Sequence, residues 1–137
     1  MEKQIVNEPK EIDGYRVVQD GKEIYEALSK GETVMHWESG NSMYPILMHM
    51  EYCKIHPAKK QEIKIGDAVF CKFLYRNEER KISDFYMVHR CTDIVVRGDE
   101  YYFKIEGTDN TLFGWTKDVY GVAESTNIFQ NEEALWE

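Results

Sequence analysis

Apolar residues recur at helical spacing in one short stretch near the amino end of the chain. The stripe consists of Ile24, Ala27 and Leu28. Asp20 precedes it as an N-cap residue with Glu23 three positions later, a variant of the capping box, and Gly31 follows as a C-terminal stop. The pattern predicts a helix of about two turns that must pack on a sheet to be stable. Residues 1–19 are polar and of mixed charge, which predicts an irregular arm with a turn at Asp13 and Gly14.

Beyond residue 33 the pattern changes to the two-residue alternation of β-strands. Val34 and His36 fall on one face of the first run, and Met35 and Trp37 fall on the other. Further strands are predicted at 51–56, 68–75, 85–96, 101–105 and 119–123. The stretches 57–62, 76–81, 97–99 and 107–114 are predicted to be loops or turns. Residues 128–136 fit either a C-terminal helix or a loose tail.

These elements predict a mainly β fold, in which an antiparallel sheet curls or partly closes into a barrel and carries one short helix. A chain of 137 residues is long enough for one domain but not for two. We expect this domain at 20–125, with 1–19 as a lead-in and 126–137 as a tail or short helix.

The composition of the chain argues against some classes of binding partner and indicates a cellular compartment. A net charge of −8 argues against binding to nucleic acid or to an anionic membrane, because both require a concentrated basic face. Three cysteines form an odd set without a pairing pattern, which indicates reduced intracellular thiols. No apolar run approaches the length of a transmembrane helix, and no signal peptide opens the chain. The expectation is a soluble, cytoplasmic protein without a membrane anchor.

The stretch with the most distinctive chemistry runs from Ser39 to Leu47, Ser-Gly-Asn-Ser-Met-Tyr-Pro-Ile-Leu, and has Ser42 at its centre. Gly40 and Asn41 tolerate the backbone conformations of a sharp turn, and Pro45 restricts the chain shortly afterwards. A serine held in this way can direct its hydroxyl outward and present its own backbone N–H to a bound carbonyl group. A surface loop with a solvated serine is the plainer interpretation of this stretch taken alone.

Three further motifs follow in order: Ile65-Gly66-Asp67, Val88-His89-Arg90 and Gly107-Thr108-Asp109-Asn110. Together with the serine stretch, this order resembles the signal peptidase and LexA-like family of serine peptidases, over residues 34–124. The resemblance is closest to the branch that uses histidine, since the bacterial and LexA-like branch has a lysine at the position of His89. The resemblance implies the curled β-sheet or partly closed barrel of that family.

The resemblance assigns Ser42 as the nucleophile and His89 as its general base. An imidazole suits the second role because its ordinary pKa is close to neutral pH. A strand histidine that is bonded to a backbone carbonyl is the structural alternative. The third catalytic group, which orients the imidazole, is expected to be Asp109 or else Asp118. Thr108 is an insertion relative to the family's Gly-Asp-Asn, so the alignment with the family at this motif can shift by one residue.

The oxyanion hole is less well supplied. The backbone N–H of Ser42 is one donor. Gly40 occupies the position at which bacterial signal peptidases share a serine, so the hydroxyl that this serine supplies has no counterpart here. Asn41 or Ser39 could substitute for that donor in a different loop geometry.

The family also implies how a substrate lies, as an extended strand added to the sheet edge beside the nucleophile. The corresponding platform here is residues 33–37. The side chains expected to line its pockets are Met35, Trp37, Met43 and Tyr44. Ordinary core packing is the alternative for these residues, the methionines above all. No Ala-Gly or Cys-Gly pair occurs in the chain, so self-cleavage of the LexA type has no site.

No cofactor is expected. His49, Cys53 and His56 include two ligand types that zinc favours, but strand geometry turns His56 away from the other two, so no metal site is predicted.

Two functions are therefore expected from the sequence. The first is a soluble serine endopeptidase that cleaves a protein or peptide substrate through a Ser42–His89 dyad or a triad with aspartate. The alternative is a catalytically inactive peptide-binding or regulatory module on the same fold. Exposed sheet edges would also allow a homodimer.

Overall fold

A computed structural model of the chain describes residues 8–38, 43 and 46–130. Within them, one α-helix accompanies nine β-strands of one sheet, and a short 3-10 turn lies at Lys60–Glu62. The elements in chain order are β1 Glu11–Ile12, β2 Tyr15–Val17, α1 Gly21–Ser29, β3 Val34–Trp37, β4 Glu51–Pro57, β5 Ala68–Arg76, β6 Ile82–Arg97, β7 Glu100–Glu106, β8 Leu112–Thr116 and β9 Val119–Phe129. None of the described residues belongs to a helix that is long and apolar enough to cross a membrane.

The strand order in the sheet is β1-β2-β3-β4-β9-β5-β6-β7-β8. All neighbours are antiparallel except β2 and β3, which are parallel. The predicted mainly β class is confirmed, but the prediction of a purely antiparallel sheet is wrong. The reason is that α1 connects β2 to β3, and a helical crossover returns the chain in the same direction.

The predicted irregular lead-in is also wrong over its described part, because β1 and β2 form a hairpin there. Its turn was predicted correctly. Asp13 and Gly14 have φ angles of 53° and 84°, the left-handed conformations that a two-residue hairpin turn requires. The hairpin extends the sheet beyond β3 and so changes which strands lie at its edge.

Helix α1 was predicted closely. The Asp20 carboxylate accepts a hydrogen bond of 3.1 Å from the backbone N–H of Glu23, and Gly31 adopts a φ of 82° just after the helix. The three residues of its apolar stripe are buried. They belong to a helix-side core that also contains Val34, Ile55, Phe70 and Val88. The helix therefore covers one face of the sheet.

The opposite face of β5 to β7 buries a separate set of side chains, which we call the curl core. Its members include Val69, Cys71, Met87, Cys91, Phe103 and Ile105. The sheet curls around this core until β8 approaches β5, where the Thr116 hydroxyl donates to the Lys72 carbonyl at 2.8 Å. Over the part of the chain that the structure describes, the sheet does not close into a barrel, since β8 pairs there with β7 alone.

Two strand predictions need correction near the carboxyl end. Leu112–Thr116 forms β8, although this stretch was assigned mostly to a loop, because Gly114 interrupts a short apolar run and hides its alternation. Strand β9 continues to Phe129, well past the predicted end, because its polar second half pairs with β4. The choice between a tail and a helix beyond residue 130 lies outside the described residues.

Glu51, at the start of β4, has a carboxylate that connects three separate parts of the chain. It is 3% exposed and accepts hydrogen bonds from the Ser125 hydroxyl and from the backbone N–H groups of Met48, Thr126 and Asn127. Burial acts to raise the pKa of Glu51, but these hydrogen bonds together more than offset it and lower the pKa below its ordinary value. The charged form is therefore the one that the fold stabilises.

We predict that Glu51→Gln costs about 1–3 kcal/mol of unfolding free energy at neutral pH, because an amide cannot accept all four hydrogen bonds. Urea denaturation measures this cost, with the exposed Glu78→Gln as the matched control.

The pH dependence has a definite sign. Because the folded-state pKa of Glu51 is depressed, its stabilisation is present above the unfolded-state pKa and is lost as pH falls through the folded-state value. The wild type should therefore lose more stability than Glu51→Gln between about pH 7 and about pH 3. Equal losses of stability in the wild type and in Glu51→Gln would show that Glu51 does not cause this pH dependence.

Candidate functional site

His89 lies in the middle of β6, directly opposite Val69 of β5. Its side chain is partly buried, and its Nδ1 atom is fully buried with no hydrogen-bond partner among the described residues. The backbone-bonded alternative considered for this histidine therefore does not apply to Nδ1. Buried polar atoms without partners are uncommon and often mark a functional position.

Burial is the main influence on the protonation of His89. It lowers the pKa of the imidazole, because the charged ring loses its hydration. The negative charges of Glu38 and Asp109 act in the opposite direction without reversing the shift. The neutral ring thus predominates at pH 7, and the neutral ring is the form that can accept a proton.

Phe113 covers one face of the His89 ring. The ring centroids are 4.3 Å apart and the planes are inclined by 27°. Phe113 owes this position to a β-bulge in β8, where Gly114 pairs with Ile105 and Leu112 pairs with Glu106, so that Phe113 has no opposite residue. Bulges commonly redirect a side chain beside a functional site. Phe113 was missed in the sequence because its stretch was taken for a loop.

Asp109, the first aspartate candidate, lies in the turn between β7 and β8. Its Oδ1 atom accepts a hydrogen bond of 3.1 Å from the backbone N–H of Thr111. Hydrogen bonds from Thr111 lower the pKa of Asp109, and the proximity of His89 lowers it further. Asp109 is therefore an ionised neighbour of His89, although it forms no hydrogen bond to the imidazole.

Asp118, the second candidate, lies elsewhere. Its backbone N–H donates to the Thr116 hydroxyl at 3.0 Å, and its carbonyl accepts from the N–H of Lys72 at 2.9 Å. The adjoining residue, Val119, pairs with Cys71, which in turn pairs with Met87. Asp118 is thus separated from β6 by the width of β5, and the structure does not bring it to His89.

Glu38 is a group near His89 that the sequence analysis did not select. It follows the last residue of β3 and immediately precedes the serine stretch. Its carboxylate lies 3.1 Å from Nε2 of His36, and the Nδ1 atom of that buried ring contacts the Val18 carbonyl at 3.0 Å. The signal available in the sequence was an acidic residue between the predicted strand and Ser42.

Ser42, Asn41 and Tyr44, three residues of the predicted site, lie outside the described residues. The residues that flank this segment, Glu38 before it and 46–50 after it, are described, however. The carbonyl of Glu38 accepts a hydrogen bond of 3.0 Å from the N–H of Met50. This hydrogen bond joins the chain just after β3 to the chain just before β4, and we call the pair Glu38 and Met50 the neck. Glu38, the first residue of the neck, is the one whose charge acts on His89.

Met43, within the same segment, was expected to contact substrate but is buried in the helix-side core at 4% exposure. Its carbonyl accepts a hydrogen bond of 2.9 Å from the N–H of Leu47. The alternative of ordinary core packing therefore applies to Met43.

Met35 and Trp37 are also core residues, packed with Met50 and Tyr52 in a third cluster. The edge predicted for substrate at 33–37 is not free. Strand β2 pairs with β3, and beyond it the side-chain amide of Gln19 bonds both backbone groups of Trp37, at 3.0 Å and 2.9 Å. On the side of β3 away from β4, β2 pairs with Val34 and Met35 and Gln19 bonds Trp37, so these residues do not offer a free edge to a substrate strand.

The cysteines do not supply an alternative nucleophile. Cys53, Cys71 and Cys91 are free and buried, and burial raises the pKa of each thiol, that of Cys91 to about 11. Thiolate is the reactive form, so these thiols are inert. Among the described residues, no group of three potential ligands has the geometry to hold a metal ion.

Comparison with known proteins adds no identification. No protein-family model matches the chain, and neither the curated proteins nor the solved structures include a significant match.

We predict that Glu38→Gln and Asp109→Asn each lower the pKa of His89 further, because each removes a negative charge that favours the imidazolium ion. Titration of the His89 ring protons by NMR measures the midpoint, with the resonance assigned from His89→Gln. Asp118→Asn is the control and should leave the midpoint unchanged. A rise in the midpoint in either charge variant would contradict this electrostatic arrangement.

Proposed function

We propose that this protein is a serine endopeptidase of the signal peptidase and LexA-like type, in which Ser42 is the nucleophile and His89 the general base. The observation that carries the proposal is the state of His89. It is a partly buried, neutral imidazole with an unpartnered Nδ1 atom, near two carboxylates. One of those carboxylates, Glu38, begins the segment that contains Ser42. The order of the four motifs and the mainly β architecture support the same assignment.

The reaction follows from these roles. The Ser42 hydroxyl attacks the carbonyl carbon of the peptide bond while His89 takes its proton. The imidazolium then protonates the leaving amine as the carbon–nitrogen bond breaks, which yields an acyl ester on Ser42. His89 next removes a proton from water as the water attacks the ester carbonyl, and the imidazolium returns that proton to the Ser42 oxygen as the acyl carbon–oxygen bond breaks and the second product leaves. The backbone N–H of Ser42, with Asn41, would stabilise the oxyanion.

Asp109 fits the role of an electrostatic partner better than that of a hydrogen-bonded triad member. It is ionised, and its charge favours the imidazolium form of His89, whereas Asp118 is separated from β6 by β5. We therefore propose a Ser42–His89 dyad assisted by the negative charges of Asp109 and Glu38. Both would stabilise the imidazolium ion that forms during turnover. The free cysteines are consistent with action in the cytoplasm.

An inactive peptide-binding module is the second candidate. The observation that favours it is the absence, among the described residues, of a carboxylate hydrogen-bonded to His89. Without such a partner the imidazole is less firmly oriented than in a complete triad. The two candidates differ in whether Ser42 reacts.

We predict that a peptidyl phosphonate diester forms one covalent adduct with the wild type and that Ser42→Ala and His89→Ala each abolish it. Intact mass gives the stoichiometry, and peptide mapping gives the site. Ser83→Ala and His56→Ala are the matched controls, an exposed serine on β6 and a histidine on β4, and should react as the wild type does. Absence of an adduct on the wild type across a series of peptide sequences would favour the inactive module.

The rate of this reaction should also depend on pH in a defined way. Since the pKa of His89 is lowered, the proton-accepting neutral ring persists to a lower pH than for an ordinary histidine. We predict that the labelling rate falls on acidification with a midpoint below about 6.5. The midpoint should move lower again in Asp109→Asn. A midpoint above the ordinary histidine value would argue against His89 as the base.

A further inference from the structure

Strand β8 forms one edge of the sheet. It pairs with β7 on one side, and on the other side no strand pairs with it among the described residues. It approaches β5 at its last residue, through the hydrogen bond from Thr116 to Lys72, and the Phe73 side chain of β5 lies beside Gly114. The backbone from Leu112 to Trp115 therefore has a side on which another strand can pair.

The side chains of this edge are large, apolar and exposed. Leu112 is 59% exposed, Phe113 37% and Trp115 45%. Edge strands are usually protected by charged residues, by proline or by a covering element. The sequence of β8, Leu-Phe-Gly-Trp-Thr, contains neither a charge nor a proline. Apart from the β-bulge at Phe113, β8 lacks the usual protections, and an exposed apolar edge of this kind indicates an interaction surface.

A cavity of about 390 Å³ adjoins the edge and is lined by Val95, Arg97, Tyr102 and Trp115. Its walls are apolar and aromatic except for the guanidinium group of Arg97. Within the described residues Arg97 forms no ion pair. Glu100 lies opposite Arg97 in the ladder between β6 and β7 but forms no ion pair with it, so the guanidinium group of Arg97 is complementary to an acidic side chain on an otherwise apolar segment.

The edge also leads to His89, because Phe113 belongs to β8 and stacks on the imidazole at 4.3 Å. A strand added to β8 runs alongside the residue that covers the candidate base. The edge that the family resemblance implied, at β3, is closed by β2 and Gln19.

We propose that β8 is the docking edge for an extended, apolar peptide segment that pairs with its backbone and directs an acidic side chain to Arg97. This inference rests on the proposed function insofar as the docked segment is the substrate. Main-chain hydrogen bonds supply affinity, and the aromatic cavity supplies side-chain preference.

The test uses fluorescence anisotropy on the full chain carrying Ser42→Ala, so that no peptide is consumed. The probes are short fluorescein-labelled peptides of alternating valine and threonine, with one aspartate placed at successive positions. We expect saturable binding by at least one of them. Trp115→Lys should weaken it about tenfold or more, as expected for loss of a central aromatic contact. Ile65→Lys, at a site 62% exposed outside β8, is the matched control and should bind as before.

Two further comparisons separate strand pairing from non-specific apolar contact. A peptide N-methylated at alternate residues keeps its side chains but loses donors, and should not bind. Arg97→Glu should abolish binding of the peptide that carries aspartate. Binding should recover when lysine replaces the aspartate in the peptide, and an unfolded variant cannot show this recovery. Equal binding of the methylated peptide, equal binding to Trp115→Lys, or no binding by any probe would overturn the proposal.

The outcome is separable from that of the proposed function. If Ser42 reacts with the phosphonate but Trp115→Lys leaves probe binding unchanged, the docking edge is wrong and the peptidase stands. If Ser42 does not react but the probes bind as expected, the docking edge stands and the peptidase fails. Sedimentation that shows a dimer lost in Trp115→Lys, with no peptide binding, would assign the edge to a second copy and overturn the proposal.

Discussion

The register between β5 and β6 is the constraint on which the rest of the structure depends. The two strands pair from Ala68 opposite Arg90 to Arg76 opposite Ile82 without a shift. Successive residues of both strands bury opposite faces, so that Val88 faces the helix-side core while Met87 faces the curl core. A slip of one residue would exchange the two faces along the whole ladder. The same register sets His89 opposite Val69 and fixes its degree of burial.

A second constraint acts at the base of the serine stretch. The Glu51 carboxylate joins the start of β4 to the second half of β9 and to the turn at Met48. The neighbouring residue, Met50, closes the neck through its hydrogen bond to the Glu38 carbonyl. Both ends of the segment are thus attached to the sheet by buried or backbone contacts.

The candidate site could be predicted in part. The motif order selected His89 and Asp109, and the structure brings these two into electrostatic contact. The motif order ranked Asp109 first but left Asp118 open as a second candidate, because that choice depends on how far β5 separates β9 from β6. Glu38 and Phe113 were missed for related reasons. Glu38 approaches His89 only because of where β3 ends in the sheet, and Phe113 does so only because of a bulge that has no clear sequence pattern.

The sequence by itself determined the local elements whose signals lie within a few residues. The N-cap at Asp20, the stripe of α1, the turn at Asp13 and Gly14 and the alternation of β3 all follow from short-range hydrogen bonding and burial. The tertiary structure alone decided which edges are open. Strand β2 pairs in parallel with β3 because a helix intervenes, and Gln19 then completes the closure, whereas no strand within residues 8–38, 43 and 46–130 pairs with the outer side of β8. Edge exposure depends on pairing between residues distant in the chain, and no local pattern encodes that pairing.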